Sequence, residues 1–146
     1  MFFGIKSIIG PGCVINESKF YEEIGYLQSH GFDTSIIKIS PRAHVVTEEH
    51  IEKDRNTLHR KLGTTGSGIA PCYSAKAARV GLQAAKVFPK SMIWDEKLKG
   101  KILCEGAQGV WLDSDWGNYP YVTSSTTLPY AACSLGIPPQ KIRNIY

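Results

Sequence analysis

Short β-branched runs alternate along this chain with stretches whose apolar residues recur at helical spacing. Between Glu17 and Ser29, Phe20, Ile24 and Leu27 fall on one helical face. Asn16 stands where an N-cap belongs and Gly31 where the chain would leave a helix, so a helix is expected over Glu17–Ser29. Val14-Ile15 just before it reads as a short extended piece, and Ser35–Ile39 and His44–Val46 read as strands. Thr47 is placed to cap a second helix running to about Lys61, with Glu48 and Glu49 suiting its positive end. Its third position is His50 rather than glutamate or glutamine, so a simple cap and not a capping box is expected. Ser74 is expected to cap a helix through Ala85, and Pro89 closes off Phe88. Ile93–Leu98 reads as a short helix, Ile102–Cys104 as a buried strand and Leu128–Ser134 as a last helix. The alternation predicts a parallel-type α/β arrangement.

Composition narrows the class. The 146 residues are 42% hydrophobic and 21% charged, without repeats or low-complexity tracts, a profile that fits one ordinary globular domain. The net charge of +4 includes a cluster at Lys86, Lys90, Lys97, Lys99 and Lys101. A solvated face accounts for that cluster; nucleic acid would want a denser patch with interleaved aromatics, so no nucleic-acid partner is expected. No apolar run approaches the roughly 20 residues of a membrane span. Met1-Phe2-Phe3 is too short for a signal peptide, whose apolar region needs about 7–15 residues. Cys13, Cys72, Cys104 and Cys133 are scattered without a Cys-x-x-Cys, so neither a metal site nor a disulfide framework is expected, and a reducing cytoplasm fits best.

The densest chemical signal is Gly63-Thr64-Thr65-Gly66-Ser67-Gly68-Ile69-Ala70-Pro71. Glycines let backbone N–H groups approach a ligand closely, hydroxyls add donors, and a helix start just downstream aims further N–H groups at an anion. The run reads either as a phosphate cradle or as a mobile surface loop. It lacks the Gly-Lys-Ser/Thr ending of a P-loop and the strand–Gly-x-Gly-x-x-Gly–helix context of a dinucleotide site. Lys76 and Arg79 follow at i, i+3, which would put two cations on one helix face.

A second constellation lies at 104–126, where Glu105-Gly106-Ala107-Gln108-Gly109 sets an amide between two glycines at the end of the expected strand. Ligands of open α/β sheets bind at such strand ends. Taken together, Gly-Thr-Thr-Gly-x-Gly-Ile-x-Pro, Lys-Ala-Ala-Arg, Glu-Gly-Ala-Gln-Gly and Gly-x-Tyr-Pro-Tyr-Val-Thr-Ser-Ser resemble the signatures of the adenylosuccinate synthetase family, in that family's order. Weaker likeness runs through Ile8–Gly12, Ile39–His44 and Leu135–Ile142, so the resemblance covers essentially the whole chain.

The resemblance implies GTP-dependent ligation of IMP and aspartate to adenylosuccinate, in AMP biosynthesis, by a cytoplasmic homodimer using Mg2+. It implies an α/β fold, an incomplete P-loop-NTPase-like mixed sheet with flanking helices, with residues 1–146 as one central segment. By residue, it makes Thr65 and Thr123 contacts to the IMP 5′-phosphate, with Gly63, Thr64 and Gly66 as phosphate-loop candidates. Arg79 would reach the IMP of the dimer partner, and Gln108 would lie near the purine 6-position. Neutral donors orient a phosphate and arginine grips it with a fork, so each role suits its side chain.

The family's Gly-Asp-Glu-Gly-Lys-Gly-Lys loop, its Asn-x-Gly-His acid and its Thr/Asn-Lys-x-Asp guanine motif do not occur here. The main ligands of GTP and Mg2+ are thus missing, and the chain is expected to be inactive alone. Only Val80 to Cys104 separate the two signature blocks, as in the family's compact archaeal and viral forms. Ser67 stands where a lysine or arginine is frequent, and Thr126 where asparagine is. Two other readings stay open: a non-catalytic nucleotide-binding or dimerisation module, and a segment of a phage-type 2-aminoadenylosuccinate synthetase acting on dGMP.

The remaining eye-catching residues read as structural. His44, His50 and His59 do not make a metal triad. Asp113 and Asp115, two apart, suit a capped turn. Trp111, Trp116, Tyr119 and Tyr121 are expected to pack around the ligand loop.

Overall fold

The computed structural model describes residues 4–146; the short apolar start Met1–Phe3 lies outside the described residues. Strands β1 (Ser7–Ile9) and β3 (Ile37–Ile39) pair in parallel, as do β2 (Val14–Asn16) and β4 (His44–Val46). Both ladders join residues thirty positions apart, Ser7 to Ile37 and Val14 to His44. They are two separate two-stranded sheets, divided where Gly10–Cys13 and Ser40–Ala43 turn. Parallel strands need a crossover, and helix α1 (Glu17–Ser29) supplies it. The result is an α/β fold of small parallel sheets and helices.

Local chemistry explains α1. The Asn16 side chain accepts from the Lys19 N–H at 2.9 Å. At the other end Gly31 takes φ +79°, its N–H bonds to the Gln28 carbonyl and the Phe32 N–H to that of Leu27. That pair of bonds satisfies the helix's last carbonyls and needs a left-handed residue at Gly31. The face predicted from the spacing is the buried one: Phe20 and Ile24 enter a core with Ile15, Ile39, Ala43, Val45, Ala84 and Phe88. Phe20 and Phe88 meet edge to face at 5.4 Å.

Helix α2 (Glu48–Asp54) continues without a break through a π turn (Arg55–His59) into α3 (Arg60–Leu62), close to the expected end at Lys61. The expectation of a simple cap fails, because the Thr47 N–H donates to His50 Nδ1 at 3.1 Å. The imidazole does the work of the missing glutamate in a capping box.

Helix α4 spans Ile69–Ala77, so Ser74 lies inside it and caps nothing. Gly68, left-handed, starts it, and Pro71 sits in its first turn, where a missing N–H costs no bond. It stops at Ala78, long before Ala85, because Arg79 turns to φ +66° and the Val80 and Gly81 N–H groups fold back on the Ala75 carbonyl. Lys76 and Arg79 therefore do not share a helix face.

Beyond α4 the sheet edge competes with helix. Val45 donates to the Leu82 carbonyl and Ala84 to that of Ala43, both at 2.8 Å. The expected helix at Ile93–Leu98 is absent: Lys90–Met92 is a 3-10 turn, Ile93 bridges in parallel to Ile39, and the Trp94 N–H reaches the Ile39 carbonyl. Ile102–Cys104 is no buried strand either. No described strand pairs with it, and Ile102 and Leu103 are exposed. The expected last helix is a 3-10 helix at Pro129–Leu135. Among the described residues no helix is long and apolar enough to cross a membrane.

Candidate functional site

The Gly63–Gly68 loop is tied down by a residue in the preceding helix. Asp54, 2% exposed, accepts from Thr64 Oγ1 with one carboxylate oxygen and from the Gly68 N–H with the other, each at 2.8 Å. His59 Nδ1 also contacts the Thr64 carbonyl. A Cβ on Gly68 would stand 2.8 Å from the Ile51 nitrogen and 2.9 Å from the His50 carbonyl carbon, so the loop meets the helix backbone directly. The run is an anchored loop rather than a mobile one. It borders a cavity of about 430 Å3, into which Thr65, Gly66 and Ser67 bring the loop, Asn16 comes from the end of β2, Lys19 and Glu23 from α1, and Arg55 from the π turn.

A second loop is built around a second aspartate. Asp113, with no exposed surface, accepts from the N–H groups of Asp115, Trp116 and Thr127 and from the hydroxyls of Thr126 and Thr127. The Thr127 N–H, at 2.6 Å, is the chief cause that holds this carboxyl well below the usual carboxylate range, against the opposing effect of burial. The turn expected from Asp113 and Asp115 is present, and Thr126 serves the network. The Thr123 N–H donates to the Leu112 carbonyl at 2.7 Å, fixing the Val-Thr-Ser-Ser strip on this loop. The Tyr119–Pro120 peptide is cis.

The two halves meet over the Gly10–Cys13 turn. Tyr73 Oη donates to the Gly12 carbonyl and Lys76 Nζ to that of Pro11, both at 2.8 Å. The Tyr73 phenol is raised chiefly by burial, while Ser134 and Leu135 lie against Gly12 and Gly10.

The structure thus puts Thr65 and Gly66 at the cavity, uses Thr64 as an anchor and leaves Gly63 as the left-handed residue ending α3. Thr123 is half-buried and does not line that cavity; Gln108 and Arg79 are exposed. The expected aromatic packing is not found: Trp111, Trp116, Tyr119 and Tyr121 are all well exposed, because Asp113 rather than an apolar cluster organises their loop. The histidines have separate structural places. His50 caps α2, His59 touches the loop, and His44 is buried in β4 with Nδ1 unpartnered and its pKa lowered, first by burial and then by Lys76.

The sequence pattern alone does not single out Asp54. One signal for it exists: Ile51 and Leu58 mark the inward stripe of the α2–α3 helix, and Asp54 falls on that stripe where an apolar residue is due.

The sequence model of the adenylosuccinate synthetase family matches residues 2–100 and 90–146. Adenylosuccinate synthetases of Lysinibacillus sphaericus and Streptococcus sanguinis are 31% and 33% identical to this chain, over 95% and 99% of it. The chain spans about half the length of these curated relatives, 46% and 47%. The Lysinibacillus alignment runs over 197 positions, more than this chain contains, in keeping with the shortened Val80–Cys104 interval. The solved structure of fully ligated adenylosuccinate synthetase from Plasmodium falciparum superposes with a TM-score of 0.78 at 26% identity, over 93% of this chain and 45% of that one. The cyanophage S-2L succinoaminodeoxyadenylate synthetase, bound to dGMP and dATP, shares the fold, with a TM-score of 0.66 at 22% identity over 90% of this chain and 41% of that one. With residues 2–146 matched by the family and its fold shared with these enzymes, the chain belongs to the adenylosuccinate synthetase family.

Proposed function

We propose that this chain supplies the IMP-binding central segment of an adenylosuccinate synthetase, the ligase that joins IMP and aspartate with GTP hydrolysis in AMP biosynthesis. The observation that carries this reading is the Gly63–Gly68 loop, locked at both ends by Asp54 and bringing Thr65 to the cavity. A pre-ordered loop of glycines and hydroxyls binds a phosphate without first losing its own conformational freedom. In this reading Thr65 and Thr123 hold the IMP 5′-phosphate, Gln108 addresses the purine 6-oxygen, and Arg79 extends from its left-handed corner to the IMP of a second subunit in a homodimer. An arginine held at φ +66° is uncommon, and such corners cluster at functional positions.

The residues present do not fit Mg2+. That ion wants carboxylate and phosphate oxygens, yet the two buried aspartates, Asp54 and Asp113, are committed to loop hydrogen bonds, and no cluster of three metal-ligating side chains occurs among the described residues. The step that uses GTP and Mg2+ therefore belongs to parts of the fold other than these residues.

The test is calorimetric titration of the chain with IMP, inosine and dGMP. IMP is expected to bind, inosine to bind far more weakly, and Thr65→Ala to weaken IMP about tenfold, the loss of one hydrogen bond to a charged group. Equal affinity for IMP and inosine would overturn the reading. Preference for dGMP over IMP would assign the same cavity to the phage-type substrate.

A further inference from the structure

The π turn is positioned to do more than connect α2 to α3. On an α-helix Asp54 and His59 would point about 140° apart, whereas the wider i→i+5 turn brings residues five apart onto one face. Here Asp54 holds Thr64 and Gly68, His59 touches the Thr64 carbonyl, and Arg55 lies between them against Gly66. Thr57 Oγ1 donates back to the Lys53 carbonyl within the same turn. A Cβ on Gly66, at φ +65°, would stand 3.1 Å from Arg55 Cγ, so the bare glycine lets the arginine stem lie flat along the loop.

The loop has no cation of its own, since Thr64, Thr65 and Ser67 are neutral and Lys61 precedes it on α3. At the cavity, positive charge comes from Arg55 and, across it, Lys19, with Glu23 as the acidic group in the lining. Among the described residues the one ion pair is Lys6–Glu96, so Arg55 makes no salt bridge there. Arg55, Thr65 and Ser67 line the same cavity, and a guanidinium joined by hydroxyls is a donor set that suits a phosphate dianion, because its fork engages two oxygens at once.

We propose that Arg55, carried to the loop by the π turn, is a binding residue for a phosphate monoester in this cavity. Arg55 supplies the charge, and Thr65, Ser67 and the loop amides supply the orienting donors. This inference rests on the reading of the cavity as a nucleotide-phosphate site, but not on the base being hypoxanthine.

The experiment is calorimetry on the full chain with inorganic phosphate, IMP and inosine, for the wild type and for Arg55→Ala, Arg55→Lys and Arg60→Ala. Arg60 is an exposed cation on the same helix that does not line the cavity. Arg55→Ala is expected to weaken phosphate and IMP by about tenfold or more, with inosine unchanged. Arg55→Lys should recover part of the loss, charge being kept and the fork removed, and Arg60→Ala should bind as wild type. Circular dichroism checks that each variant keeps its helices. If Arg55→Ala binds phosphate and IMP as wild type does, or if Arg60→Ala loses as much, the assignment to Arg55 is wrong. If wild type binds inorganic phosphate through Arg55 but does not discriminate IMP from inosine, the Arg55 site stands and the IMP reading falls. If wild type binds neither phosphate nor IMP, both fall.

Discussion

Asp54 and Gly68 lie fourteen residues apart, and the Gly68 N–H donates to the buried Asp54 carboxylate at 2.8 Å. The donor is the backbone of the left-handed residue that starts α4, and the other oxygen of the same carboxylate holds Thr64. One side chain thus sets both ends of the loop, and it sits in a helix already packed against α4. Removing it leaves a hydroxyl and a buried amide without partners. Asp54→Ala is expected to lower stability by about 2–4 kcal/mol, the scale of two hydrogen bonds to a charged group. Asp54→Asn should recover much of that, since its oxygen serves Gly68 and its amide can donate to Thr64 Oγ1. Urea unfolding midpoints check both; an Ala variant as stable as wild type would remove Asp54 from its anchoring role.

Gly68 and Gly63 are both left-handed, at φ +77° and +68°, but their surroundings differ. A Cβ on Gly68 meets helix backbone under 3 Å, and one on Gly63 meets nothing within 4 Å. Gly63→Ala should cost about 1 kcal/mol, for the left-handed backbone alone. Gly68→Ala should cost about 2–4 kcal/mol, because backbone overlap is added to the same term. Thermal unfolding of the two variants side by side tests the difference, and equal losses would mean that the close approach at Gly68 is not rigid.

Arg79 presents a conflict between stability and the proposed contact to a second subunit. Glycine at φ +66° avoids the Cβ clash and gives back part of the gain as chain entropy. Arg79→Gly is therefore expected to stabilise the chain by about 0.5–1 kcal/mol while abolishing any contribution of the guanidinium to IMP binding. A rise in melting temperature with weakened IMP affinity supports both statements; unchanged affinity would remove Arg79 from the site.

Asp113 makes the second loop sensitive to acid. Its carboxyl is lowered in the folded state, chiefly by the Thr127 N–H. A depressed folded value means stability that is fully present above the unfolded value, about pH 4, and is lost as pH falls from there through the folded value. The stability gap between wild type and Asp113→Asn should be widest near neutrality and narrow steadily below about pH 4. Urea midpoints at a series of pH values measure it, and a gap independent of pH would show that the Asp113 charge contributes nothing.

The cysteines report on the fold. Cys72 has no exposed surface, its thiol contacts the Val45 carbonyl at 3.4 Å, and burial pushes it up to about 11. Cys13 and Cys104 are exposed. Alkylation at mildly alkaline pH, read by mass spectrometry, should modify Cys13 and Cys104 and spare Cys72 until urea unfolds the chain. Labelling of Cys72 at the same rate in the native protein would contradict its burial between α4 and β4.

What the sequence determined by itself was whatever depends on neighbours in the chain. The boundaries of α1 follow from Asn16, Gly31 and the Phe20–Ile24 spacing, all local. The bounds of β4 and the end of β3 at Ile39 follow from short β-branched runs, although β3 starts at Ile37 and not at the expected Ser35, and the family follows from motifs that are contiguous words of sequence. Tertiary structure decided whatever depends on partners far along the chain. Asp54 falls on the inward stripe of its helix, but no neighbour in the chain says what it binds until Gly68 folds back onto it. His50 takes up a capping role that spacing rules reserve for carboxylates and amides. Ile93 joins a sheet edge instead of a helix because the Ile39 carbonyl is there to accept from Trp94. Ile102–Cys104 has the composition of a strand but no pairing partner among the described residues, and a strand is defined by its partner. Propensity acts over a few residues, whereas the bonds that order the candidate site span ten to fourteen of them, as from Asp54 to Thr64 and Gly68.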